Sequence, residues 1–250
     1  MRAPGRVRRR LGASPEIVPD DAETILHRPW EWSDSATVPV VGERRRGEIG
    51  KSASREYFDR HAASYETHRR WHNVREPQAV ALELLELGAD DRLLDVGCGT
   101  GAAVREAAPV VARAVGLDLA PGMVEQARTL AADFPDSELV VGDSEALPFA
   151  DGEFTAVLCS TSIHHYPHPD KAVAEMARVL APGGRVAIGD ANRDRFLIKV
   201  LDRISRRLQR SHVRILSSAE LSDYLAEAGL RRTGAHSLWH GGYMILLAQK

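Results

Sequence analysis

From Arg92 onward the chain repeats one pattern: a short apolar run, a polar or glycine-rich break, then apolar positions at helical spacing. The runs are Leu93-Leu94 with Val96, Ala114 to Leu117, Leu139 to Val141, Ala156 to Cys159 and Val186 to Ile188. Short runs that are apolar at successive positions predict strands buried on both faces. The stretches between them predict helices over 102–111, 121–132 and 170–180. Strand–helix alternation of this kind implies a parallel sheet with helices on both faces. The end breaks the rhythm. Ser217 and Glu220 form a capping box for a helix that stops at Gly229. Strands then follow over 231–238 and 243–248, joined through Gly241-Gly242 too tightly for a crossover helix, so they pair antiparallel.

Upstream the pattern weakens. Residues 1–50 hold no sustained period of 2 or 3.6, and five Arg fall between Met1 and Arg10, with Arg44-Arg45-Arg46 further on. This stretch reads as an Arg-rich, disordered leader. Ser54 is the expected cap of a helix carrying Tyr57, Phe58, His61, Ala62 and Tyr65 on one face. A second helix follows Pro77 and stops at Gly88. The folded domain is therefore expected over 51–250.

Composition narrows the choices. The net charge of -2 argues against a dedicated nucleic-acid binder. Two cysteines, Cys98 and Cys159, make neither a disulfide framework nor a zinc site on their own. No apolar run approaches the roughly 20 residues of a membrane span, and the Arg-rich start lacks the apolar stretch of a secretory signal. The expected location is cytoplasmic.

The strongest chemical signal is Asp95-Val96-Gly97-Cys98-Gly99-Thr100-Gly101, which ends a strand and opens a helix. Glycines there let backbone approach a ligand closely. A dinucleotide would set its pyrophosphate on such a loop, but Asp95 opposes a phosphate and favours a cation. Asp118 ends the second strand, where its carboxylate can accept from two ribose hydroxyls. Asp143 follows the third strand, beside Ser144 and Glu145, and can accept from an adenine amino group. Three successive strands thus end in an acid, at the edge where open α/β sheets bind ligands.

With these residues the chain resembles the class I S-adenosylmethionine-dependent methyltransferases, in particular their small-molecule and quinone methylase-like group. The likeness covers about Tyr57 to Lys250. It is carried by Tyr57-Phe58-Asp59 through Tyr65, by the Asp95–Gly101 loop, and by Gly116-Leu117-Asp118 with Pro121, Gly122 and Met123. It continues through Gly142-Asp143, Leu147-Pro148-Phe149 and Phe154, and through Arg178-Val179-Leu180-Ala181-Pro182-Gly183-Gly184. Thr155 stands where that family often has Asp. The resemblance implies a Rossmann-like, doubly wound, mostly parallel seven-stranded sheet closed by the antiparallel hairpin, and S-adenosyl-L-methionine as cofactor. It implies that Gly97, Cys98 and Gly99 line the methionine part, Asp118 holds the ribose, Leu119 and Met123 pack the adenine, Ser160 faces the methyl group and Tyr65 closes over the amino-acid end. Residues 51–90 would be lid helices and 191–216 an acceptor-side insert.

The reaction so implied is methyl transfer to a small-molecule acceptor at O, N or C by in-line displacement, with no metal needed. His165, or His164 beside it, can act as a base if the acceptor must lose a proton. Residues 193–214 combine an apolar stripe with many Arg, which reads as a solvated lid or a weak membrane-surface contact. Two other functions remain open on the sequence: a nicotinamide-dependent oxidoreductase, and a non-catalytic binding protein of the same fold. The acceptor and the oligomeric state are not legible.

Overall fold

The computed structural model describes residues 43–67, 74–134, 137–209 and 211–250. The leader expected over 1–50 lies outside them as far as residue 42. Helix α1 spans Glu43–His61, so Ser54 is buried inside the helix rather than capping its start. The apolar spacing that pointed to Ser54 marks only the packed half of that helix. Helix α2 (Arg75–Leu84) follows. Strand β1 (Arg92–Val96), helix α3 (Ala102–Ala107), β2 (Arg113–Asp118), α4 (Pro121–Leu130) and β3 (Ser137–Val141) form the first half of the sheet. Strand β4 (Phe154–Ser160), α5 (Pro169–Val179) and β5 (Leu180–Ala191) form the second. After α6 (Phe196–Leu208) and α7 (Ser218–Glu227) come β6 (Arg231–Leu238) and β7 (Tyr243–Gln249).

The seven strands lie in the order β3-β2-β1-β4-β5-β7-β6. Strands β1 to β5 pair parallel, and β7 runs antiparallel to both β5 and β6. The expected doubly wound sheet with its closing hairpin is present. Its apolar runs are explained by burial on both faces: Leu94 and Val96 pack with Val173 and Met176 of α5, while Leu93 packs with Ala81, Leu85 and Ala103 beneath α2 and α3. Strand β4 divides likewise, Val157 and Cys159 to one layer, Ala156 and Leu158 to the other. The capping box of Ser217 and Glu220 forms as expected.

Helix α3 is shorter than its sequence pattern, ending before Pro109, whose ring cannot continue the hydrogen-bond ladder. Strand β5 is longer, because Phe154 pairs with Leu180 and Ala156 with Arg185, so Ala181 to Gly184 bulge from the ladder instead of ending it. Thr155 receives a hydrogen bond from the Arg92 amide at 2.9 Å and donates to Asp91 at 2.7 Å, which ties the start of β1 to β4 without an acid at 155.

The strand order reverses between β1 and β4. The carboxyl ends of these strands form a crevice there, the place where ligands of open α/β sheets bind.

Candidate functional site

The loop from β1 to α3 floors this crevice. Gly97 adopts φ +77°, and a Cβ on it would lie 2.6 Å from Ser162 Oγ and 2.7 Å from the Tyr166 hydroxyl oxygen. Only glycine fits a left-handed turn pressed this closely against the segment after β4. Beside the loop, Asp95 is 1% exposed, and its Oδ2 has no hydrogen-bond partner among the described residues. Burial, and then the nearby Asp118 carboxylate, push its pKa up to about 7. Asp118 accepts the Gly99 amide on one oxygen and the Ala120 amide on the other, each at 2.9 Å. Burial and Asp59 still hold its pKa above the ordinary value. A buried carboxylate with an orphaned oxygen, beside a half-buried one, makes a site short of a cation.

Helix α1 forms one wall. Asp59 accepts the Gly122 amide at 2.7 Å and so caps the N-terminus of α4 from another helix. Phe58, Ala62 and Tyr65 pack with Ala120 and Met123. Lys51 of the same helix reaches Asp143 at 2.6 Å and Glu145 at 2.7 Å. Burial disfavours its charge, but the two carboxylates outweigh that and raise its pKa. The acid after β3 is thus neutralised by a partner, unlike the acids of β1 and β2. At the opposite end Glu66 receives the Thr100 hydroxyl at 2.8 Å, Arg105 at 2.6 Å and Arg75 at 2.9 Å, which joins the segment after α1 to the glycine loop.

Beyond β4 lies a histidine cluster. His165 donates from Nδ1 to the Ser211 carbonyl at 2.6 Å, so its Nε2 is left as an acceptor. Its ring meets Phe58 edge to face at 5.0 Å. Burial, and then the neighbouring His164, hold its pKa well below the usual value. His164 behaves oppositely: burial opposes its charge, but the Asp190 carboxylate at 2.8 Å raises its pKa. His212 reaches Asp202 at 2.8 Å. Ser160 and Thr161 share the hydroxyl of Tyr243, at 3.1 and 2.9 Å.

One cavity collects most of the residues expected from the sequence. Tyr65, Gly97, Cys98, Gly99, Asp118, Leu119, Met123, Asp143, Ser144, Ser160 and His165 all line it. Asp95 is buried behind the lining, and Cys98 turns its thiol into the core among Val104, Ala114 and Val124. His164 does not line the cavity, because its ring is committed to Asp190. Thr100 of the glycine loop lines the cavity too, as do Lys51, Glu66, Ser162 and Tyr166, which had no sequence signal. Asp190 had one: it is a fourth acid near the carboxyl end of a strand, the rule that singled out Asp95 and Asp118.

Residues 94–188 match the family model described as a methyltransferase domain. The chain is 35% identical over 167 residues to the 27-O-demethylrifamycin SV methyltransferase of Amycolatopsis mediterranei, covering 62% of this chain and 59% of that one. It is 37% identical over 105 residues to the demethylmenaquinone methyltransferase of Renibacterium salmoninarum, covering 42% and 43%. The crystal structure of the YcgJ protein of Bacillus subtilis superposes with a TM-score of 0.60 at 29% identity, over 65% of this chain and 72% of that one. The chain spans about half the length of the curated relatives it matches.

Proposed function

From a chain whose residues 94–188 match the model of a methyltransferase domain, we propose that it is a class I S-adenosylmethionine-dependent methyltransferase whose crevice binds S-adenosylmethionine and methylates a small-molecule acceptor entering from the His165 side. The observation that carries this reading is the orphaned, buried Oδ2 of Asp95 next to Asp118. A donor bearing an ammonium and a sulfonium relieves both carboxylates, whereas a pyrophosphate adds charge of the same sign. The residues present fit that donor. Asp118 keeps a spare lone pair on each oxygen for ribose hydroxyls. Leu119 and Met123 offer an apolar wall, and Asp143 and Ser144 offer polar groups for an adenine edge.

When bound, S-adenosylmethionine supplies an activated methyl group for in-line displacement. The chain's own work is alignment and exclusion of water. Phe58 and Tyr65 cover the crevice from α1 and the turn after it, and the Glu66 contacts fasten that segment to the glycine loop. His165, neutral and with Nε2 open, is placed to take a proton from an acceptor hydroxyl or acidic carbon. The relatives named for rifamycin and menaquinone substrates support a small organic acceptor.

Calorimetric titration of the full chain with S-adenosylmethionine, NADH and NADPH tests the donor. Binding of a nicotinamide dinucleotide but not of S-adenosylmethionine defeats the proposal. A panel of phenolic, quinol and amine acceptors, followed by release of S-adenosylhomocysteine, then identifies the acceptor class.

A further inference from the structure

Helix α6 carries an apolar face that the described residues leave uncovered. Its one acid, Asp202, is 3% exposed and turned inward, where it accepts the Ile215 amide and meets His212, each at 2.8 Å. That contact fixes the roll of the helix. At the helical repeat of about 100° per residue, Phe196, Leu197, Val200, Leu201, Ile204 and Leu208 then share one outward arc. Phe196 is 81% exposed and Leu197 67%. Lys199, Arg203 and Arg206 follow along one flank of this arc, with Arg207 at its edge. The helix holds four cations against one acid, a balance of +3 (4 − 1). No α6 residue lines the cavity described above.

The geometry points to α6 as a docking helix for an anionic lipid bilayer. Aliphatic and aromatic side chains facing outward, flanked by cations, match the two surfaces such a helix meets: acyl chains below and lipid phosphates beside them. A second copy of the chain is a poorer occupant, because pairing two such faces would set two helices of balance +3 against each other. The inference does not depend on the methyl-transfer reading.

The test is co-sedimentation of the full chain with vesicles of phosphatidylcholine alone and of phosphatidylcholine mixed with phosphatidylglycerol. The key variant is Phe196→Ser/Leu197→Ser/Ile204→Ser, which keeps every charge, including the Arg near Met1. These side chains are exposed, so the melting temperature should hold and separates lost docking from lost folding. We expect the parent chain to sediment with the anionic vesicles and to release in high salt, and the serine variant to partition about tenfold or more weakly. Equal partitioning of the serine variant would assign the attraction to charge elsewhere and overturn the inference. So would failure of the parent to bind anionic vesicles, or a concentration-dependent dimer in analytical ultracentrifugation that the serine substitutions dissolve.

Discussion

Replacing Asp95 with Asn gives the sharpest test, because it should move stability and donor binding in opposite directions. The Asp95 carboxyl titrates at about 7 in the folded chain against an ordinary 3.8. A carboxyl whose pKa is raised by folding holds its proton better when folded. Its contribution is favourable below about 4 and is lost as pH rises through 7. The gap of about 3 pKa units corresponds to about 4 kcal/mol between the protonated and ionised forms. Asp95→Asn removes that ionisation and leaves Asp118 in place. Urea unfolding of the ligand-free proteins at about pH 5 and about pH 8.5 should therefore show the variant gaining on the parent by about 2–3 kcal/mol at the higher pH, the part of that gap that falls between pH 5 and 7. The same variant should bind S-adenosylmethionine about 2–3 kcal/mol more weakly, the range of a charge-assisted hydrogen bond lost from a buried site. Donor binding by the parent should strengthen as pH rises through 7, with a proton released near that pH. A stability gap that does not change with pH, or donor binding unaffected by the substitution, would refute the claim that Asp95 is an anion waiting for a cation.

Asp118→Ala should cost about 1–3 kcal/mol of donor affinity by calorimetry, through the lost ribose acceptor. Gly97→Ala should destabilise the fold by about 2–4 kcal/mol in urea, combining positive-φ strain with overpacking; pairing it with Ser162→Gly should recover part of that, since Ser162 is what the new Cβ meets. His165→Ala should lower turnover about a hundredfold while donor affinity stays put; a comparable loss of both would return His165 to a packing role through its contact with Ser211.

Local patterns were legible and long-range contacts were not. The buried strands declare themselves by successive apolar residues, since both of their faces are covered. The Ser217 box is legible because its donor and acceptor lie three residues apart. The glycine loop and the acids at strand ends follow from chain direction alone: parallel strands put their carboxyl ends on one edge. Lys51 shows the limit. It meets Asp143 across 92 residues, and nothing in its neighbourhood marks it as anything but a surface charge on a basic helix. Glu66, which meets Thr100 and Arg105 across 34 and 39 residues, is the same case. The helix boundary near Ser54 failed for a related reason. Helix α1 runs on upstream through charged residues that carry no apolar period, so pattern alone saw only the part that packs.

The uneven treatment of the three strand-end acids is the deepest clue to the ligand. A rim built merely to be negative would leave Asp143 as free as the others, yet Lys51 sits on it at 2.6 Å. Asp95 and Asp118, by contrast, are held at raised pKa with no cation beside them among the described residues. Keeping ionisable groups in that state costs folding stability, so the fold sustains a deficit at one end of the crevice and cancels it at the other. A ligand that is cationic at one end and uncharged at the other matches this pattern, with its nucleobase toward Asp143 and its amino-acid portion toward Asp95. A dinucleotide matches less well: its phosphates would meet the unrelieved acids, while the cations lining the cavity are engaged, Lys51 with Asp143 and Glu145 and Arg75 with Glu66. The charge distribution therefore discriminates between donors before any hydrogen bond to the ligand is made.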